Sequence, residues 1–168
     1  MSNGALSADL RELYQDLILD HGKHPRNFRV LPDANCEALG HNPLCGDKLV
    51  LYLRVNDKGA IDDATFQGSG CAISTASASM MTEMLKGKTA DEAHRLFDYF
   101  HLLCTGDAPE TKQGQAALDA PLDEGDTTRL EALAGVRHYP MRVKCATLAW
   151  HALQAALEPS GVKKVKTE

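Results

Sequence analysis

The amino-acid sequence predicts an α+β fold: a small three-stranded antiparallel sheet packed against about five helices, in a single domain over residues 1–168. Three observations carry this expectation. Leu49, Leu51, Leu53 and Val55 alternate with Val50, Tyr52 and Arg54, the period of a half-buried strand. The run Asn56-Asp57-Lys58-Gly59 supplies turn chemistry, and residues 60–67 return as the next strand. On either side of these strands apolar residues recur at three- and four-residue spacing, which predicts helices.

Along the chain, Ser7 can cap a helix running to His21, with Leu10, Leu13, Tyr14, Leu17 and Ile18 on one face and Gly22 placed to end it. A polar segment, 21–27, follows. Cys36 to Leu39 is a short strand, and Lys48 to Asn56 and 60–67 complete the sheet. Gly68-Ser69-Gly70 breaks the last strand, and Cys71 opens a helix to about Lys86. Its run of small residues suits close approach to a neighbour, and Met80, Met81 and Met84 read as core filler. Thr89 and Glu92 form a capping box for a third helix, whose apolar stripe of Ala93, Leu96, Phe97, Phe100 and Leu103 takes in Cys104.

Residues 105–125 turn polar and acidic, a loop long enough to be functional. Asp126 is placed to cap a short helix over Leu130 and Leu133, closed by Gly135. Pro140 leads into the last helix, where Val143, Ala146, Trp150, Leu153 and Leu157 share a buried face beside Cys145. Residues 159–168 form a polar tail, and its basic run of Lys163, Lys164 and Lys166 reads as solvated.

Composition narrows the function. The net charge of −5 gives nucleic-acid binding no support. No apolar run approaches a membrane span, and residues 1–9 lack a signal-peptide pattern, so a cytoplasmic protein without a membrane partner is expected. Five cysteines cannot all pair, and a reducing compartment disfavours a disulfide framework.

Chemistry concentrates in Asn42-Pro43-Leu44-Cys45-Gly46-Asp47, a thiol and a carboxylate one residue apart in a turn. Cys71 at a helix start, where the helix dipole favours thiolate, and Cys145 bring the inventory to three sulfurs and one oxygen. That set suits tetrahedral Zn²⁺, or iron held by cysteine. Spacing alone leaves two readings standing: a shared metal site, or thiols buried as small apolar side chains. His21, His24 and His41 could pair with a thiol in a cysteine hydrolase, but no nucleophile-and-base signature accompanies them.

Four separated motifs occur in order: 13–21 (LYQDLILDH) with Pro25-Arg26-Asn27, then 42–47 (NPLCGD), 68–74 (GSGCAIS) and 143–145 (VKC). By these motifs, over about residues 9–157, the chain resembles the IscU/SufU family (NifU N-terminal-like) of iron–sulfur cluster assembly proteins. Within it the chain looks like the SufU branch. Lys144 stands where scaffold-type members carry a histidine before the last cysteine, Arg137 to Lys144 lacks their double proline, and 105–125 matches the SufU insertion.

The resemblance implies one Zn²⁺ on Cys45, Asp47, Cys71 and Cys145. It further implies that Cys45 is the catalytic thiol, accepting persulfide sulfur from a SufS-type cysteine desulfurase and passing it to a SufBCD-type scaffold. The alternatives are a scaffold holding a transient [2Fe–2S] cluster on the same ligands, and a zinc-stabilised interaction module without sulfur chemistry. Arg142, one helical turn before Cys145, is a candidate partner for Asp47 or for a freed thiolate.

Overall fold

The structure, a computed structural model, describes residues 8–106, 123–158 and 164–166. Its elements in chain order are α1 (Ala8–Lys23), β1 (Cys36–Asn42), β2 (Asp47–Val55), β3 (Ile61–Ser69), α2 (Ala72–Leu85), α3 (Ala90–Thr105), α4 (Glu124–Leu133), a 3₁₀ turn (Ala134–His138), α5 (Pro140–Leu157) and β4 (Lys164–Lys166). β1, β2 and β3 make the expected antiparallel meander, and five helices accompany it among the described residues. The possible cap Ser7 and most of the 105–125 loop lie outside those residues, as do the side chains of Leu10 and Leu13.

Two strands run further than their sequence patterns suggest: β3 continues through Gly68 and Ser69, the residues expected to break it, and pairs there with Leu49 and Lys48. β1 extends to Asn42, which pairs with Asp47, so the first hairpin closes through the four residues 43–46. Gly46 has φ of 72°, the left-handed conformation this tight connection needs. The C-terminal segment adds a short strand that the sequence pattern does not announce. Lys164–Lys166 forms β4, parallel to β1 at Leu39–His41, giving the sheet order β3-β2-β1-β4. Pairing there satisfies backbone groups along an otherwise open edge, a contribution that periodicity does not register.

One sheet face packs on the helices. Leu49, Leu51 and Leu53 of β2 meet Ala64 and Phe66 of β3 and the α2 and α5 core around Met80, Met81, Met84, Leu148 and Trp150. The small residues of α2 have their anticipated use. Ser77 donates its hydroxyl to the Ala146 carbonyl and accepts the Trp150 indole N–H at 3.1 Å, which requires the two helices to lie close together. The opposite sheet face is crossed by residues 28–35. Arg29 pairs with Asp63 at 2.8 Å and Arg54 with Asp33 at 2.5 Å, pinning that segment to β3 and β2.

Helix ends bear out part of the sequence reading and correct the rest. Thr89 and Glu92 form the capping box, and Cys71 is the N-cap of α2. The cap of α4 is Asp123, whose carboxylate accepts Gly125 N–H and Asp126 N–H, and not Asp126. Asp126 is buried and pairs with Lys88 at 2.8 Å, and the chain continues past Gly135 in the 3₁₀ turn. Gly22 lies inside α1, where an added Cβ would stand 3.2 Å from Ala72 Cβ. Its role is to let α1 approach the start of α2, not to stop the helix.

His21 falls within α1 and is buried, not exposed in a loop. Its Nδ1 lies 2.7 Å from Ser79 Oγ, and its Nε2 3.7 Å from Glu83. Burial lowers its pKa below 6.5, and Arg26 adds to this against the opposing pull of Glu83. His151 is lowered too, by burial and then by His101. Each therefore contributes stability that is complete above the unfolded value of 6.5 and lost as pH falls through the lower folded value. The melting temperature of metal-free protein is expected to fall by a few degrees between about pH 7 and pH 5.5, and His21→Gln should flatten that slope. A slope unchanged by the substitution would remove His21 from this account.

Candidate metal centre

Three elements deliver the four residues singled out from the sequence. Cys45 lies in the β1–β2 loop and Asp47 starts β2, Cys71 caps α2, and Cys145 sits in the second turn of α5. One donor atom from each of Cys45, Asp47 and Cys145 falls within 4.8 Å of the others, a group that could hold a metal ion. The Cys45 and Cys145 Sγ atoms are 3.3 Å apart. Cys71 is outside that tightest group, although its Sγ is 3.8 Å from Asp47 Oδ2 and accepts Ser74 N–H at 3.4 Å. A tetrahedral ion with bonds of about 2.0–2.3 Å holds its ligand atoms about 3.3–3.8 Å apart. The Cys45–Cys145 and Cys71–Asp47 separations fall in that range, whereas Cys71 stands outside the group of mutually close donors and has to move inward to complete a shell of four.

The four are held unequally. Asp47 and Cys145 are fully buried, whereas Cys45 and Cys71 are half-buried. Asp47 is fixed by the Cys71 backbone N–H, which donates to Oδ1 at 2.8 Å. Cys45 belongs to the short hairpin loop, so it can shift without unpacking a helix or a strand.

Electrostatics favour a cation at the centre. Burial pushes the Cys145 thiol pKa upward, and hydrogen bonds to Cys45 and Asp47 and the negative charge of Cys71 and Asp47 push it further. A divalent ion reverses the sign of each of these neighbour effects and takes the thiols as thiolates. Arg142 is the cation already present: the neighbouring Cys71 and Cys145 raise its pKa. Burial lifts the Cys104 thiol to about 12, which suits a core residue, and Cys36 likewise packs against the core. His24 and His41 are not in the group of donors that could hold a metal.

Two further residues belong to the site; both lie inside the motifs quoted from the sequence, but nothing there marks the contacts they make. Asn42 is fully buried: its Nδ2 donates to Cys145 Sγ at 3.8 Å and its Oδ1 accepts Leu44 N–H at 3.2 Å, tying loop and helix together. Gly70 lies against Asp47, where an added Cβ would be 2.5 Å from Oδ1. Gly70→Ala should therefore displace the carboxylate and weaken metal binding by about 10–100-fold, the cost usual for disturbing a ligand's support. Competition with a metallochromic chelator measures this, and unchanged affinity would show that Asp47 position is not set here.

Comparison with known proteins is consistent across the chain. Residues 13–142 match the model of the NifU-like N-terminal domain. The chain is 41% identical, over 89% of its length and 92% of the relative, to a Bacillus subtilis protein named zinc-dependent sulfurtransferase SufU. It is 40% identical, over 90% and 86%, to a Streptococcus pyogenes protein named iron–sulfur cluster assembly scaffold protein IscU. A crystal structure described as a proposed SUF-system scaffold of Fervidobacterium islandicum AW-1 superposes with a TM-score of 0.71 at 32% identity, covering 88% of this chain and 98% of that one. Family match, relatives and fold agree with the order of the cysteine motifs, and the chain belongs to the NifU-like N-terminal domain family of iron–sulfur cluster assembly proteins.

Proposed function

We propose that this chain is a zinc-dependent sulfur acceptor. Cys45, Asp47, Cys71 and Cys145 hold one Zn²⁺, and Cys45 takes sulfane sulfur from the persulfide of a SufS-type cysteine desulfurase. The observation that carries the reading is the unequal anchoring of the donors. Asp47 and Cys145 are buried and Cys71 is a helix cap, whereas Cys45 alone stands on a short loop. Similarity to the Bacillus subtilis protein, named a zinc-dependent sulfurtransferase, supports it. When bound, zinc keeps its cysteine ligands deprotonated and so primes them as nucleophiles.

The Cys45 thiolate attacks the outer sulfur of the donor persulfide. The donor S–S bond breaks, the donor cysteine leaves as thiolate, and Cys45 carries the new persulfide. Asn42 holds Cys145 while the loop moves. Work in the reducing cytoplasm, with onward transfer to a SufBCD-type scaffold, fits this chemistry. The second reading, a scaffold for a transient [2Fe–2S] cluster, draws on the relative named IscU and on the same donor set.

Mass spectrometry after incubation with desulfurase and cysteine separates the two. One added sulfur on the Cys45 peptide is expected. A brown protein with cluster absorption after reconstitution, and no sulfur added at Cys45, would instead establish the scaffold.

A further inference from the structure

Away from the thiols, α3 and α5 bring two imidazoles together. His101 lies near the end of α3, and His151 lies further along the helix that carries Cys145; both are half-buried. Their ring centres are 6.4 Å apart. Phe97 touches both rings, stacked on His101 at 5.7 Å and edge-on to His151 at 5.3 Å, so an apolar wedge sets where the two imidazoles stand.

Hydrogen bonding leaves a nitrogen lone pair unused on each ring. The Thr105 hydroxyl donates to the His101 carbonyl at 2.7 Å, so toward His101 Nδ1, 3.5 Å away, its oxygen can only accept. Nδ1 therefore carries the proton and Nε2 is the free nitrogen. The His151 ring has no hydrogen bond among the described residues, and burial, then the nearness of His101, lowers its pKa, so it is neutral at pH 7. Asp98 lies one turn before His101, and its carboxyl is likewise without a hydrogen bond among the described residues. Burial raises its pKa against the pull of His94 and His101.

We propose that His101 and His151 bind a divalent transition-metal ion at a site separate from the cysteine centre, with water completing its shell and Asp98 offsetting its charge. An ion of this class takes imidazole nitrogen at about 2.0–2.1 Å, which puts two ring centres roughly 5–6 Å apart. The observed 6.4 Å needs only a small closing rotation of the side chains. Thr105 holds the His101 ring in the tautomer that binds, as the outer partner of a metal-bound histidine does. No three donors converge here among the described residues, so the ion keeps open positions and exchanges more readily than one in a closed shell of four. Imidazole selects zinc, nickel, cobalt or copper over magnesium and calcium, which want oxygen.

The test titrates the zinc-loaded full chain with Ni²⁺ and, separately, with Mg²⁺. Binding is followed by calorimetry and by the fluorescence of Trp150, the single tryptophan of the chain and the neighbour of His151. One further equivalent of Ni²⁺ is expected to bind and to quench Trp150, and Mg²⁺ to do neither. His101→Gln and His151→Gln should each raise the Ni²⁺ dissociation constant at least about tenfold, since even the outer partners of a metal ligand cost that much. His94→Gln should leave it within about twofold. A rise in melting temperature with Ni²⁺ in the unmodified chain, absent from both ligand variants, gives an independent reading, because an ion bound only by the folded state stabilises it. No Ni²⁺ bound beyond the zinc, Mg²⁺ bound as tightly as Ni²⁺, or Ni²⁺ affinity within twofold of the unmodified chain in both ligand variants would overturn the proposal.

Discussion

Alanine at Cys45 is expected to abolish sulfur acceptance, a loss of at least about 100-fold in persulfide formed per chain, while the fold is kept. The thiol is the nucleophile in the proposed step, and no neighbouring group can replace it from the same loop. Its structural cost is small, because Cys45 is half-buried in the 43–46 connection and its one described hydrogen-bond contact is with Cys145. Metal-free stability should change by no more than about 0.5 kcal/mol, the usual range for a surface position.

Asp47→Ala provides the contrast. It removes a fully buried carboxylate and leaves the Cys71 N–H without its acceptor, a loss of about 1–3 kcal/mol even before metal is considered. Peptide mass spectrometry and thermal melts of both metal-free variants check the pair. Persulfide at the unmodified level in Cys45→Ala, carried by Cys71 or Cys145, would move the acceptor role to another thiol.

Those two side chains also mark how far the sequence could be read. Cys45, Asp47 and Cys71 announce themselves locally, because a thiol beside glycine at an element boundary is an odd place for a core residue. The strands and helices were equally legible where one face is buried, as in Leu49, Leu51 and Leu53 or Val143 to Leu157. What stayed hidden depends on contacts between distant segments. Asn42 meets Cys145 across 103 residues, and Gly70 is constrained by a carboxylate that begins a strand 23 positions earlier.

Helix α4 illustrates the same limit at its cap. Asp123 and Asp126 are equally good cap residues by composition, and Lys88, reaching from the turn before α3, draws Asp126 into an ion pair. The C-terminal segment is a similar case, because the backbone of Lys164–Lys166 pairs with an open strand edge that composition does not register.

Chelating the metal from the purified protein is expected to lower the melting temperature by about 10 °C without unfolding the chain. The proposed donors come from the β1–β2 loop, the start of β2, the cap of α2 and the second turn of α5, so a metal held by all four would brace separate segments. Ligand linkage gives about 4 kcal/mol when free metal exceeds its dissociation constant a thousandfold. At about 2–4 °C per kcal/mol for a domain of this size, that amounts to roughly 8–16 °C. The fold survives because most of its core does not depend on the metal: Trp150, Phe100, Leu51, Leu53 and Met80 are fully buried among α2, α3, α5 and the sheet. A melting temperature unmoved by chelation and by added zinc would mean the four residues hold no metal. Complete loss of helical circular dichroism would mean the metal makes the fold, which is the behaviour of a zinc-stabilised interaction module and not of a sulfur acceptor that must open its site to work.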